Sequence, residues 1–300
     1  MPVPLEGTIP PVIAPLAEDR TVDVAGVRRV TEHLLAGGVD GLFVLGSCGE
    51  GPTLRRSVAD ALVAEYVRAA DGRVPVLAGV GETSTERAIE ALRAAEDAGA
   101  SGIVAMAPMY FLADGDGEVI RHLEAVAAAT TLPVVVYNIP HLTGHPITPA
   151  ALAAVAAIDN VVALKESSGI WEIYEPLART ASASGLAVFQ GAESLIARSI
   201  AAGADGAVPG IANVAPGLAV ELVRAARARD ASADDLQARL DAVCDLYSSG
   251  FWLASLKYAV SVLGLAAPTA GAALPGLAPE GERRVRDIVG RTVGTRGAAA

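Results

Sequence analysis

The sequence alternates short apolar runs with longer amphipathic segments, and this alternation recurs eight times. The apolar runs occupy residues 11–14, 41–45, 74–78, 102–106, 133–137, 161–165, 186–189 and 206–208. Segments between them carry apolar residues at helical spacing, as at Val27, Val30 and Leu34. Buried strands that alternate with helices are typical of a parallel sheet covered on both faces. Eight such units within residues 1–230 predict an α/β fold, a closed (β/α)8 TIM barrel.

A doubly wound open sheet is the rival architecture. It usually has fewer strands and carries a glycine-rich turn after its first strand, whereas the first apolar run here is followed by PLAE at 15–18. Residues 231–293 are predicted to form a helical C-terminal appendage, interrupted by a segment rich in Gly, Ala and Pro at 263–279. Residues 294–300 are predicted to be a disordered tail.

The composition and the net charge limit the cellular compartments and the binding partners that we expect for this protein. Apolar residues make up 52% of the chain and charged residues 19%, which excludes a disordered protein. The formal net charge of −11 disfavours a nucleic-acid partner, because an acidic surface repels phosphates. No apolar stretch reaches the ~18 residues of a membrane span, and the first residues do not resemble a signal peptide. With only two cysteines, we expect a cytoplasmic protein that does not bind membranes.

The active site of such a barrel forms at the carboxyl ends of its strands, and a lysine lies at one of these ends. Only two of the 23 basic residues are lysines, Lys165 and Lys257. Lys165 ends the sixth apolar run, which directs its amine into the barrel mouth, where burial favours the neutral, nucleophilic form of an amine. The alternative is an ion pair with Glu166 or another acid. Lys257 lies within an apolar helical segment, which favours a structural role.

Two further features at the predicted mouth support carbonyl chemistry. Tyr137 ends the fifth run, next to the sixth, and its phenol could carry protons for a Schiff-base reaction; a buried tyrosine with a bonded hydroxyl is the alternative. The loop at 46–51 offers backbone N–H groups and the Ser47 hydroxyl, which could hold a carboxylate, although glycines after a strand also simply form turns.

Three motifs together resemble those of the N-acetylneuraminate lyase and dihydrodipicolinate synthase family. They are GSCGE at 46–50, YNIP at 137–140 and KESSG at 165–169, and the likeness extends to GADG at 203–206 and ANV at 212–214. It spans about residues 7 to 290. The resemblance implies a (β/α)8 barrel with C-terminal helices, a homotetramer built as a dimer of dimers, and a small 2-keto acid as substrate. It implies no cofactor besides the covalent Schiff base with lysine.

The resemblance also assigns roles to individual residues. Lys165 matches the lysine that forms the Schiff base with pyruvate or another 2-keto acid, and Tyr137 matches the proton-shuttling tyrosine. Ser47 matches a hydroxyl that links Tyr137 to a second tyrosine, here Tyr110, donated across a subunit interface. The backbone of Ser47 and Cys48 would hold the keto-acid carboxylate. The family usually has threonine at the position of Cys48. The remaining substrate-binding candidates are Val208, Ser167, Gly191 and Glu193.

Departures from the family motifs bear on the substrate. Leu142, beside His141, stands where dihydrodipicolinate synthases carry an arginine that grips the aldehyde substrate's carboxylate. Glu193 and Ser194 stand where sialate lyases have an acidic pair for sugar hydroxyls, and Gly210 replaces a serine of that pocket. Both well-known substrates therefore fit this chain poorly.

The leading prediction is a Schiff-base lyase or aldolase that cleaves or forms a 2-keto-3-deoxy or 4-hydroxy-2-keto acid, with pyruvate as one partner. The alternatives are a 4-hydroxy-tetrahydrodipicolinate synthase and a dehydratase of 2-keto-3-deoxy sugar acids. A non-enzymatic ligand-binding barrel is disfavoured, because Lys165, Tyr137 and Ser47 are all present. The four histidines have no metal-ligand spacing, so no metal is expected.

Overall fold

The computed structural model describes residues 5–111 and 114–293. Eight parallel strands form one sheet, in the order β1-β8-β7-β6-β5-β4-β3-β2. They are β1 (Gly7–Thr8), β2 (Leu42–Val44), β3 (Val76–Gly79), β4 (Gly102–Met106), β5 (Val134–Asn138), β6 (Val161–Glu166), β7 (Ala187–Gln190) and β8 (Gly206–Ala207). A parallel bridge between Pro11 and Phe43 joins the two ends of the sheet. The predicted (β/α)8 barrel is confirmed.

Helices follow the strands around the outside. The described residues contain α1 (Val24–Ala36), α2 (Arg56–Ala70), α3 (Thr85–Asp97), α4 (Asp116–Ala128), α5 (Pro140–Thr143), α6 (Pro149–Val155), α7 (Trp171–Ala183), α8 (Ile196–Ala201), α9 (Pro216–Ala228), α10 (Ala233–Cys244), α11 (Trp252–Val262) and α12 (Pro279–Thr292). None of these helices is long and apolar enough to cross a membrane.

Helix α1 illustrates how the sequence determines where a helix begins and which face it buries. The Asp23 carboxylate caps its start by accepting a hydrogen bond from the Gly26 amide at 2.9 Å. Val27, Val30 and Leu34 are fully buried against the barrel, as their helical spacing predicts. The opposite face carries charged side chains such as Arg28. The sequence pattern and the packing therefore agree on which face is inward.

The first strand lies earlier than the sequence pattern predicts. We expected it at 11–14, but β1 is Gly7–Thr8, and Pro11 contributes only the single bridge to Phe43. Pro10 and Pro11 have no N–H groups, so this segment cannot sustain a ladder. The Ile13 amide is bonded instead by a side chain, Asn213 Oδ1, at 3.1 Å.

The C-terminal residues 231–293 hold α10, α11 and α12, and the predicted break corresponds to the connection between α11 and α12. Helix α5, directly after β5, was not predicted; it is short and ends at Gly144, whose φ of +73° is readily adopted by glycine. The division into a barrel at 1–230 and an appendage at 231–293 stays a prediction. The predicted tail at 294–300 lies outside the described residues.

Candidate active site

A cleft of about 460 Å³ opens at the carboxyl ends of the strands. It brings together residues from the ends of five strands and from the C-terminal region. The predicted site residues that line it are Ser47, Cys48, Tyr137, Lys165, Ser167, Gly191, Glu193 and Val208. Residues that are distant in sequence thus meet in one place, as the barrel topology requires.

Lys165 lies on β6 directly beside Tyr137 on β5, and the two are paired in the strand register. Its Nζ atom lies 3.8 Å from the centre of the Tyr137 ring and 4.7 Å from that of Phe43. The residue is only 4% exposed. The amine is therefore held at the floor of the cleft against two aromatic faces.

The alternative ion pair between Lys165 and Glu166 is absent. Successive residues of a strand point to opposite sides, and the Glu166 carboxylate faces away from the cleft. Its Oε1 atom accepts hydrogen bonds from Asn138 Nδ2 at 3.0 Å and from the Ser168 amide at 2.8 Å. Within the described residues, no carboxylate forms an ion pair with the Lys165 amine.

The loop after β2 owes its shape to a buried ion pair. Glu50 has a positive φ of +58°, and its fully buried carboxylate is paired with Lys257 of α11. The same carboxylate accepts the Gly271 amide at 2.6 Å, and Lys257 Nζ also donates to the Ala14 carbonyl at 2.9 Å. Burial lowers the pKa of Lys257, while the Glu50 charge opposes that shift. Lys257 is thus a structural lysine.

Cys48 is a buried, protonated thiol rather than a thiolate. Burial raises its pKa to about 12, and the negative charge of Glu193 acts in the same direction. A thiol is a weak hydrogen-bond donor. At this position the backbone N–H, rather than the side chain, is the stronger group for an anion.

Glu193 anchors the far side of the cleft. Its Oε1 atom accepts hydrogen bonds from the Tyr247 hydroxyl at 3.1 Å and from the Ile211 amide at 3.3 Å. Burial raises the pKa of this carboxyl group, whereas the hydrogen bonds it accepts lower it.

Ser167 Oγ, which is buried without a partner among the described residues, occupies the space left by the missing side chain of Gly191.

Sequence reasoning missed the contribution of the C-terminal region to the lining of the cleft. Tyr247 and Trp252 come from the turn after α10 and the start of α11, and both line the cleft. Their rings meet edge to face, with centroids 6.4 Å apart. They lie far beyond the last strand, so no strand-end or motif signal marks them.

The outer rim includes the position where the family resemblance led us to expect a leucine in place of an arginine. His141 and Leu142 of α5 line the cleft, and Leu142 is 51% exposed. Among the described lining residues, Lys165 is the only lysine or arginine. The outer part of the cleft therefore offers no fixed cation for a second carboxylate.

Tyr110 does not join the other predicted residues within one chain. It is 81% exposed, has a φ of +87°, and packs edge to face on Phe111, with ring centroids 5.0 Å apart. It is not among the described residues that line the cleft.

The protein is a (β/α)8 barrel with a lysine-bearing cleft at the carboxyl ends of its strands, the face at which enzymes of this fold have their active sites. The chain matches the dihydrodipicolinate synthetase family over residues 4–289, and it belongs to that family, which is part of the N-acetylneuraminate lyase family. The resemblance predicted from the three motifs is thus confirmed.

The similar proteins include synthases and aldolases. The 4-hydroxy-tetrahydrodipicolinate synthase of Salinibacter ruber is 36% identical over 240 residues, covering 77% of this chain and 78% of that protein. A probable 2-dehydro-3-deoxy-D-pentonate aldolase of Escherichia coli K12 is 35% identical over 268 residues, covering 88% and 89%. A solved E. coli K12 prophage protein of the same family, in complex with pyruvate, has a TM-score of 0.92 and 29% identity, covering 97% and 99%. The chain is an enzyme of the lyase and aldolase type.

Proposed function

We propose that this protein is a Schiff-base aldolase that cleaves or forms a 2-keto acid, with pyruvate as one partner. The observation that carries the proposal is the Lys165 amine, buried beside Tyr137 at the floor of the cleft and free of any carboxylate partner among the described residues. The pyruvate bound in the related E. coli structure is in keeping with it. No cofactor is required, because the lysine itself activates the carbonyl.

In the cleavage direction, the Lys165 amine attacks the keto carbon, and water leaves as the iminium forms. The bond between C3 and C4 then breaks, and its electron pair moves toward the iminium nitrogen. The aldehyde departs as the C4 hydroxyl loses its proton. The enamine takes a proton at C3, and water releases pyruvate and the free amine. Tyr137 is the group beside the amine that can carry these protons.

The keto-acid carboxylate would bind at the loop after β2. Ser47 and Cys48 line the cleft, and the loop that carries them also carries Glu50, which pairs with Lys257. Consecutive N–H groups in such a loop form a concave site for an anion. Ser167, Gly191 and Val208, which line the same cleft, complete this proposed pocket.

The rim favours a substrate without a second carboxylate. Leu142 supplies no charge at the position where, by the family resemblance, the synthases have arginine, and His141 beside it is the one ionisable side chain of α5. We therefore favour a 2-keto-3-deoxy or 4-hydroxy-2-keto acid, in keeping with the related pentonate aldolase. The synthase relatives support the second candidate, condensation of pyruvate with aspartate semialdehyde. The dehydratase is a third, which uses the same enamine to expel a hydroxyl.

A direct comparison of substrates tests this assignment. We expect little or no dihydrodipicolinate synthesis from pyruvate and aspartate semialdehyde, because Leu142 cannot pair with the aldehyde's carboxylate. Pyruvate release from a panel of 2-keto-3-deoxy acids should be readily measured, with product analysis separating cleavage from dehydration. A synthase turnover above about 10 per second, the usual median for enzymes, would show that Leu142 does not exclude that substrate.

The exposed position of Tyr110 is relevant to the oligomeric state of the protein. We propose a homotetramer, a dimer of dimers in which this exposed tyrosine enters the site of a neighbouring subunit and joins Ser47 and Tyr137 there. Tyr110→Phe should then lower kcat more than it raises KM, because it interrupts a proton relay rather than a binding contact. Tyr258→Phe, on the C-terminal helix α11, is the matched control and should leave both constants unchanged. A fully active monomer in analytical ultracentrifugation would contradict the proposal.

A further inference from the structure

Behind Lys165 and Tyr137, three neighbouring strands each carry a buried polar side chain that the proposed function leaves without a role. These side chains form an outer row, Asn138 on β5, Glu166 on β6 and Gln190 on β7, and they are paired with one another in the strand register. We infer that the outer row consists of positioning residues, and that Glu166 above all holds the Lys165 amine at its working distance from Tyr137. The inference rests on the proposed function and extends it to residues that do not touch the substrate.

The outer row lies on the opposite side of the sheet from the Lys165 amine. Successive residues of a strand point to opposite sides. Tyr137 and Lys165 line the cleft, whereas the outer row is absent from its described lining. All three side chains of the row are fully buried. Because buried polar groups find their hydrogen-bond partners within the protein, the partners show what these side chains hold in place.

Asn138 and Glu166 join the ends of β5 and β6. Asn138 Nδ2 donates a hydrogen bond to Glu166 Oε1 at 3.0 Å, one residue beyond the register pair of Tyr137 and Lys165. A backbone bond lies beside it, from the Ser167 amide to the Asn138 carbonyl at 2.9 Å. The distance of 3.8 Å between the lysine Nζ and the centre of the tyrosine ring therefore depends on two strands that are bonded twice just behind the pair.

The outer row also holds the loops that follow the strands. Glu166 Oε1 accepts a hydrogen bond from the Ser168 amide at 2.8 Å. One strand further on, Gln190 Oε1 accepts the Ala192 amide at 2.7 Å, and Gln190 Nε2 donates to Ser199 Oγ of α8 at 2.7 Å. Ser168 and Ala192 both line the cleft. These side chains therefore fix the start of the loops that form one wall of the cleft.

Glu166 is the member of the row whose loss should have the largest effect. Its Oε1 atom accepts two hydrogen bonds, and a residue without it would leave the buried Asn138 amide and the Ser168 N–H without their acceptor. The strand end would shift to restore these bonds, and a displacement of about 1 Å can cost about a hundredfold in rate. The second oxygen, Oε2, has no partner among the described residues. Glutamine, which keeps Oε1, should therefore substitute for Glu166.

Hydrogen exchange on pyruvate measures this positioning without a second substrate. The iminium on Lys165 loses a C3 proton to give the enamine, and in heavy water the enamine takes up a deuteron, so the methyl signal of pyruvate fades in proton NMR. Glu166→Leu should slow this exchange about tenfold or more per folded chain. The KM for pyruvate should change little, because the loop after β2 that is proposed to bind its carboxylate is unaltered.

Three further variants make the test specific. Glu166→Gln should retain most of the exchange rate. Asn138→Leu, which removes the donor of the same hydrogen bond, should slow the exchange as Glu166→Leu does, and it serves if Glu166→Leu does not fold. Asn160→Leu is the matched control, because it removes side-chain hydrogen bonds at the opposite end of β6. Circular dichroism gives the folded fraction of each variant, and Asn160→Leu should exchange at the rate of the unaltered protein.

The outcomes separate this inference from the function on which it rests. Absence of exchange and of borohydride trapping in the unaltered protein would overturn the proposed function, and this inference with it. Full exchange in folded Glu166→Leu or Asn138→Leu would overturn the inference alone. Equal losses in Glu166→Gln and Glu166→Leu would also overturn it, because the charge rather than the hydrogen bonds would then be what matters. An equal loss in Asn160→Leu would overturn it by showing that any loosening of the barrel slows the reaction.

Discussion

Incubation with pyruvate and sodium borohydride should attach one reduced pyruvate to each chain, at Lys165. The amine lies in the open cleft without an ion-pair partner among the described residues, whereas Lys257 is wholly buried and paired with Glu50. Lys165→Met should abolish the label and lower kcat on the order of 10⁶-fold, the loss that follows removal of a covalent nucleophile. Peptide mapping by mass spectrometry locates the label, and a pyruvate-release assay measures the loss.

The double variant Glu50→Gln/Lys257→Met is the control for this experiment. It removes the second lysine together with its partner, so any label that remains must come from Lys165 or the chain's amino terminus. A label found at Lys257 in the unaltered protein, or no label at all, would mean that the nucleophile is wrongly assigned. Retention of full activity by Lys165→Met would contradict the Schiff-base mechanism itself.

Lys257→Met should lower the free energy of unfolding by about 3–5 kcal/mol, the cost of leaving one member of a buried ion pair without its partner. Both side chains are fully buried, and Lys257 bonds a backbone carbonyl as well. The midpoint of urea unfolding, followed by circular dichroism, measures the change.

The cost should be much smaller in Glu50→Gln/Lys257→Met, because removing both charges leaves no unpaired ion in the core. Arg227→Met breaks an exposed pair with Glu6 and serves as the surface control, where little change is expected. If Lys257→Met costs no more than Arg227→Met, the buried pair makes no special contribution to stability.

The architecture and the centre of the site follow from local sequence signals. Consecutive parallel strands lie side by side in a barrel, so the ends of the fifth and sixth apolar runs had to meet. Tyr137 and Lys165 are indeed paired in register. The family motifs added Ser47 and Cys48, which line the same cleft. The sequence could predict the positions of these residues because each depends on one strand and its immediate continuation, while their roles stay predictions.

Other features depend on contacts that no local pattern encodes. The first strand was misplaced because two prolines remove the amides that a ladder needs. Tyr247 reaches Glu193 only because the C-terminal region folds back over the barrel, 54 residues along the chain from that partner. The position of Tyr110 relative to an active site depends on a second copy of the chain, which one sequence does not place.

The bridge at Pro11 affects when the segments of the first two strands become joined as the chain folds. Between the first two strands the described backbone makes one isolated bridge, and Lys257 spans the same junction by bonding Ala14 on one side and Glu50 on the other. These contacts join residues 243 and 207 positions apart, and contacts this distant form slowly, because a long loop must close first. The chain is made from its amino end and all eight strands precede Lys257, so the contacts of this lysine with the segments that follow β1 and β2 can form only after most of the chain has been made.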